Sequence, residues 1–429
     1  MRFFEIDIKG AESLVATLIA VMMRFVRADV MIEINPDRLL MLLRALAAFG
    51  AGEHGITRVA FSEADLGARQ WVVERLQEAG LAATMDSIGN VYGRAPAADR
   101  AILLGSHTDS VPNGGWLDGA LGVIYAIEIA LALHGQDRRV GVDVIDFQDE
   151  EGAFTPFLGS RAFCGALSET DALAMMPAQS AMARSGGPKL LHRHAPERHL
   201  AYLEAHIEQG PKLEAQRRTI GIVQGIVGIR RFQVHAVGRA DHAGTTPMAM
   251  RHDAGRALFE LAQYVHSEFP RLGGADTVWN IGHLTLQPGV ANVVPGRADM
   301  LVEIRDLDDT ILDAMENALS KRAQAYGASG VAITVERTAR IAPEPMARDL
   351  IALFDHAAQQ LAQERLMLAS GAGHDAMIVA KVMPAGMMFV PSIGGRSHSK
   401  AENTNVDDIV AGCRVFAAAV DGLMKRPSV

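Results

Sequence analysis

Apolar and polar positions change their period along this chain. Residues 36–49 repeat leucines at helical spacing, with Asn35 placed to cap and Pro36 in the first turn. Residues 63–79 predict a second helix. Residues 81–92 alternate around Gly89-Asn90, which predicts strand, turn and strand. The short apolar runs at 100–105 (RAILLG) and 140–147 (VGVDVIDF) predict buried strands, and 119–133 between them predicts a long apolar helix. The 168–199 stretch is polar, contains proline and is weakly periodic, so it is expected to wrap the surface. Residues 200–206 predict another strand. Strands alternating with helices predict an α/β layer built on a mostly parallel sheet with helices on both faces.

The pattern then changes. Residues 221–237 are β-rich and broken by glycines. Residues 254–268 predict a helix, 277–286 and 297–306 strands, 310–326 a helix and 331–337 a strand. This β-α-β-β-α-β order over 226–338 predicts a ferredoxin-like α+β unit. From the helix at 346–363 onward the chain returns to α/β character. The expected organisation is therefore a layer made of 31–225 and 339–429, with 226–338 inserted as a second domain. A length of 429 residues suits two cores better than one.

Composition narrows the function classes. Hydrophobic residues make up 49% and charged residues 21%, ordinary for a globular protein. The net charge of -9 comes without a basic block, which argues against nucleic-acid binding. Two cysteines, Cys164 and Cys413, give neither a disulfide framework nor a cysteine-type zinc site, so a cytoplasmic location is the default expectation. Cys164 reads as a small buried residue rather than a nucleophile. The apolar run at 13–26 (SLVATLIAVMMRFV) is short for a membrane span and follows Glu5 and Asp7 rather than a basic segment. Residues 1–30 read as an extra N-terminal segment with Met31 as a reasonable start, and no membrane partner is expected.

Candidate chemistry gathers where strands end. The run at 100–105 leads into His107 and Asp109, and Asp118 follows in a glycine-rich loop. The run at 140–147 leads into Glu150-Glu151, the strand at 200–206 ends at His206, and a glycine-rich loop near the C-terminus reaches His398. Ligands of open parallel sheets bind at the carboxyl ends of strands. Three imidazoles and two carboxylates suit Zn²⁺, Mn²⁺, Co²⁺ or Ni²⁺ better than Ca²⁺ or Mg²⁺. Five donors exceed the needs of one catalytic zinc and fit two ions sharing a bridging carboxylate. Of the paired glutamates, one would bind metal and its neighbour would move a proton. Each of these residues alone is commonly structural; their arrival together at several strand ends is what points to a site.

At these residues the sequence resembles the M20 metallopeptidase family, and within it the hydantoinase/carbamoylase amidases. The resemblance runs through GSHTDSVPNGGWLDGALGV (105–123), DFQDEEGAFTPFLGSRAFCG (146–165), EAHIEQGPKLE (204–214), DHAGTTPM (241–248), NVVPG (292–296), EIRD (303–306), SGAGHDAM (370–377) and SIGGRSHSKAENT (392–404). It implies a zinc-exopeptidase-like catalytic domain with an inserted lid and dimerisation domain. It implies two divalent metal ions on His107, Asp118, Glu151, His206 and His398, with Asp118 bridging. A histidine at 206 is typical of the carbamoylase branch. Glu150 would be general base and acid, and Asp109 would orient His107 or tune its metal. Asn292 and Arg305 would clamp a substrate carboxylate, and Gln209 would line the site. His242 would act in trans within a homodimer, while His374 would be structural. The activity implied is hydrolysis of an N-carbamoyl-L-amino acid. Ile229 stands where allantoate-specific members tend to carry glutamine, which leans the same way. Allantoate amidohydrolase, β-ureidopropionase and, more remotely, aminoacylase or dipeptidase chemistry are the alternatives. Outside enzymes, the alternative is a metal-poor binding or scaffold protein on the same fold.

Overall fold

The computed structural model describes residues 31–177 and 191–426. The apolar run at 13–26 and part of the 168–199 stretch lie outside the described residues.

Four parallel strands form the centre of a nine-stranded sheet, in the order Ala385–Val390, His199–Ile207, Arg100–His107 and Val140–Phe147. The expected strand-turn-strand is the antiparallel pair Ala82–Met85 and Val91–Arg94, laid against Val140–Phe147. On the other side Ile220–Ile226 runs antiparallel to Ala385–Val390 and parallel to Arg365–Ser370. The sheet is thus parallel at its centre and mixed at its margins.

Its four central strands are buried along nearly their whole length because both faces are covered. Successive residues separate onto the two faces, as the two-residue strand period demands. Ile102 and Leu104 join a core with helices Pro36–Ala47, Ala120–Leu133, Arg348–Gln360 and Val406–Met424, whereas Leu103 joins one with Phe163, Met377 and Val379. Helix Ala120–Leu133 is buried over most of its length. Its one buried acid, Glu128, pairs with Arg38 at 2.7 Å and accepts the Asn35 N–H. Sequence periodicity had not marked the short helices Leu158–Phe163 and Asp375–Val379 or the long helix Val406–Met424.

The glycine-broken stretch at 221–237 is two strands in two different sheets. Ile220–Ile226 belongs to the large sheet, and Gly228–Val237 opens a four-stranded antiparallel sheet ordered Val278–Gln287, Arg297–Asp306, Gly228–Val237, Ala332–Ile341. Glycine is needed at the crossing: a Cβ at Gly228 would lie 2.7 Å from Pro343. Helices Ala254–Leu272 and Asp309–Gln324 cover one face and enclose a separate core with Phe232, Met300 and Val302. This is the ferredoxin-like order read from the sequence. Its last strand extends to Ile341, beyond the expected limit of 338, because it stays paired with Gly228–Val237 as far as Ile229. The first of the two helices continues through Pro270 to Leu272. Among the described residues, no helix is long and apolar enough to cross a membrane.

Candidate metal centre

The carboxyl ends of the central strands bring the five candidate donors into one cleft of about 260 Å³. His107 closes strand Arg100–His107, His206 lies one residue from the end of His199–Ile207, and Glu150-Glu151 follow Val140–Phe147. Asp118 precedes helix Ala120–Leu133, and His398 follows the turn Ile393–Gly395. The donors divide into two groups that share one residue: His107, Asp118 and His206, and Asp118, Glu151 and His398. The two oxygens of Asp118 face different groups. Oδ1 lies 3.1 Å from His206 Nε2 and 3.9 Å from His107 Nε2, whereas Oδ2 lies 3.1 Å from His398 Nε2. Glu151 Oε2 is 3.4 Å from the same His398 nitrogen, and Glu150 Oε2 is 3.5 Å from His107 Nε2.

Main-chain groups fix the imidazoles. His107 Nδ1 is 3.1 Å from the Asp109 carbonyl and His206 Nδ1 is 2.9 Å from the Ile207 carbonyl. With protons on both Nδ1 atoms, each Nε2 carries its lone pair on the side of Asp118, the arrangement metal-binding histidines need; that of His206 accepts the Gly119 N–H at 3.1 Å. Gly119 has φ +64, and a Cβ there would lie 2.4 Å from the His107 ring, so glycine is required beside Asp118. Gln209 and His398 also hold left-handed backbone, at φ 58 and φ 52, so local strain is concentrated around the cleft.

Two supporting residues were not singled out in the sequence. Glu402 is buried; its Oε1 accepts the N–H groups of Leu117 and Asp118 at 2.9 and 3.0 Å, and its Oε2 accepts Ser397 Oγ–H at 3.0 Å. It therefore holds the main chain on which Asp118 sits. Its signal was present but weak: an acid four residues beyond His398 in a Gly/Ser-rich run. Arg69 is fully buried and faces Asp65, Asp146 and Asp109 at 2.8, 3.1 and 3.4 Å.

Asp109 meets His107 through its main chain. Its carbonyl, not its carboxylate, takes the close contact with His107; the nearer carboxylate oxygen is 3.7 Å from Nδ1. The carboxylate instead accepts the N–H groups of Glu150 and Glu151 at 3.4 and 3.3 Å and faces Arg69. It orders the loop carrying the paired glutamates.

The electrostatics fit a cation. Burial, followed by the charges of Asp375, Glu151, Asp109 and Asp118, pushes the Glu150 carboxyl well above the usual range. Burial and Asp118 push Glu151 up to about 7. Buried Glu151 Oε1 has no hydrogen-bond partner among the described residues. Burial alone would lower His206, but Asp118 outweighs it and raises the imidazole to about 9; a hydrogen bond to Asp118 also raises His398 to about 9. Protons and divalent cations would thus compete for these donors. A mixed imidazole and carboxylate set with excess buried negative charge and an oxygen left unpaired is what divalent ions satisfy.

Residues 103–422 match the family described as Peptidase family M20/M25/M40. The chain belongs to that family. An N-carbamoyl-L-amino-acid amidohydrolase of Paenarthrobacter aurescens is 34% identical, over 90% of this chain and 98% of its own. The allantoate amidohydrolase of Escherichia coli (strain K12) is 32% identical, over 87% of this chain and 94% of its own. The crystal structure of a hydantoinase/carbamoylase family amidase from Burkholderia phymatum is similar with a TM-score of 0.86 and 41% identity, covering 92% of this chain and 99% of that one.

In this M20-family chain, the cleft also gathers Gln209 and Arg305. Gln209 Nε2 donates to Asp118 Oδ2 at 2.9 Å. Arg305 comes from the small sheet, on the face away from its core, and reaches across to the Gly371 carbonyl at 2.7 Å. Its ion-pair partner is Glu303 at 2.7 Å, not the adjacent Asp306, because side chains alternate along the strand. His242 and Asn292 do not reach the cleft. They sit together, exposed, where Asp241–His242 pairs with Val293–Val294, and the Ala243 N–H donates to the Asn292 carbonyl at 2.9 Å. His374 lines the cleft but is engaged with Ser370 Oγ at 2.9 Å and packs edge-on against His206. Burial pushes the Cys164 thiol up to about 12, which agrees with an inert cysteine.

Proposed function

We propose that this M20-family chain is a two-metal amidohydrolase that hydrolyses the N-carbamoyl group of an N-carbamoyl-L-amino acid to the amino acid, carbon dioxide and ammonia. The observation that supports it most is Asp118, whose two oxygens each serve a separate donor group while Glu150 stands beside them, 3.5 Å from His107 and with no lysine or arginine paired to it among the described residues. His107, His206, Glu151 and His398 complete the two groups. Bound Zn²⁺, Mn²⁺, Co²⁺ or Ni²⁺ would polarise the ureido carbonyl and acidify a water. Glu150 takes a proton from that water and returns it to the leaving nitrogen, a role suited to a carboxyl whose pKa is raised. Arg305 offers its guanidinium to the substrate carboxylate. Because Arg305 belongs to the small sheet and the donors to the large one, substrate binding would draw the two together and exclude water.

The small unit, roughly residues 228–341, is in this reading a lid and dimerisation unit. His242 and Asn292, exposed on its ribbon, would then serve the cleft of a second copy of this chain: Asn292 on the carboxylate, His242 on the developing oxyanion. The E. coli relative gives allantoate as the second reading. Ammonia release by metal-loaded protein from N-carbamoyl-L-amino acids, N-carbamoyl-β-alanine and allantoate tests the choice. A kcat/KM for allantoate above that for every carbamoyl amino acid would reverse it. Mixing His242→Ala and Glu150→Gln proteins, each inactive alone, should restore activity if His242 acts across a dimer.

A further inference from the structure

A second cavity of about 310 Å³ lies beside the metal cleft and shares Gln209 and Ala372 with it. Its walls include Val227, Val278, Leu368 and Phe389. Most of its polar rim groups are already engaged: Lys212 pairs with Asp276 at 2.5 Å, and the carboxylate of Glu208 accepts the N–H groups of Lys212 and Leu213 at 2.7 and 2.8 Å, while Gln209 Oε1 is left as an acceptor without a partner among the described residues. The cavity therefore offers apolar surface and few free donors.

Sheet register relates this cavity to Arg305. Val278 and Ile229 are the direct cross-strand partners of Arg305 on its two sides. Directly opposed side chains share a face of the sheet, with Cβ atoms roughly 5 Å apart. Arg305 also donates to the carbonyl of Gly371, and Gly371 lines the second cavity. The guanidinium thus marks the boundary between the two spaces, flanked by aliphatic groups.

We propose that this second cavity receives the side chain of the substrate's amino-acid part, and that it favours an aliphatic or aromatic one. The proposal rests on the amidohydrolase reading. With the carboxylate on Arg305 and the ureido group beside Glu150, the α-carbon between them lies at the common wall of Gln209 and Ala372, and its third substituent turns into the apolar space. A charged side chain would lose its hydration there, and a second ureido arm, with several polar groups, would find Gln209 Oε1 alone as an unengaged buried side-chain acceptor among the described residues of the wall.

The test compares N-carbamoyl-L-phenylalanine with N-carbamoylglycine on the full metal-loaded chain. Val278 is half-exposed on an edge strand, so Val278→Trp fills the cavity at little cost to folding, which a thermal melt checks. The expected result is a fall in kcat/KM of about tenfold or more for the phenylalanine derivative, with the glycine derivative nearly unchanged. Val278→Ala should keep or raise the preference for the larger substrate. Equal effects on both substrates, or none on either, would overturn the pocket while leaving the amidohydrolase reading intact. Failure of the unaltered protein on both substrates, with turnover of allantoate, would overturn that reading and the pocket with it.

Discussion

One strand, Val140–Phe147, leads to two buried acidic centres of opposite character. Inside it, Asp143 is surrounded by donors: Arg198 Nε and Nη2 at 2.6 and 2.7 Å, the Tyr92 hydroxyl at 2.5 Å and the Ala95 N–H at 2.8 Å, with His199 at 3.4 Å. Burial would raise its pKa, but hydrogen bonds from His199, Arg198 and Tyr92 outweigh it and hold the carboxyl at about 2. Just past the strand end, burial pushes Glu150 and Glu151 upward, reinforced by neighbouring acids, chiefly Asp375 at Glu150 and Asp118 at Glu151. Both centres contain histidine and buried carboxylates. The first is closed on itself and serves stability; the second is left electrically incomplete, as a site that takes cations must be.

Perturbing each centre should sharpen this contrast. The largest effect is expected from metal removal: dialysis against a chelator should abolish ammonia release, and adding back a divalent ion should restore it. Next, Glu150→Gln should lower kcat by about 10²–10⁴-fold with bound metal and melting temperature retained; near-normal turnover would sink the proton-transfer assignment. At the closed centre, Arg198→Ala should cost about 3–5 kcal/mol of unfolding free energy by stranding Asp143, while turnover per folded molecule is kept. Glu402→Ala should weaken metal binding by about 10- to 100-fold, read by calorimetry, with Glu402→Gln partly retaining it. The smallest effect concerns acid. Because Asp143 is depressed in the folded state, its contribution of about 2 kcal/mol is full above the unfolded pKa near 4 and fades as pH falls toward 2. The stability gap between the unaltered protein and Asp143→Asn should narrow over that window in denaturant melts.

The five donors were legible because each follows directly on a strand or loop whose apolar pattern is clear. Arg305 was legible only through resemblance, since a charged residue on the face of a strand turned away from its core carries no signal of its own. Glu402 was hidden for a different reason: it acts on main-chain groups of Leu117 and Asp118, far away in sequence, and a residue that holds backbone leaves no pattern of spacing. Arg69 sits in a helix whose apolar residues make no single stripe, and only the tertiary fold shows three acids converging on it. The alternating strands made the small sheet's topology legible. The boundary at 225/226 fell beside the break at Val227, but the close crossing there was not legible, because glycines that permit one look the same as glycines that merely interrupt a strand.

That crossing has a wider consequence. The chain leaves the large sheet at Ile226 and rejoins it at Glu344, and these two residues are register partners; Ile229 and Ile341 are partners on the other side. Everything between therefore enters and leaves through a single rung of the ladder. The small sheet behaves as a cassette: excising it and bridging the two ends with a tight turn leaves the strand order of the large sheet untouched. Such a shortened protein would keep the cation-binding groups and lose the guanidinium. The five candidate cation donors and Arg305 thus lie on separately exchangeable pieces of chain.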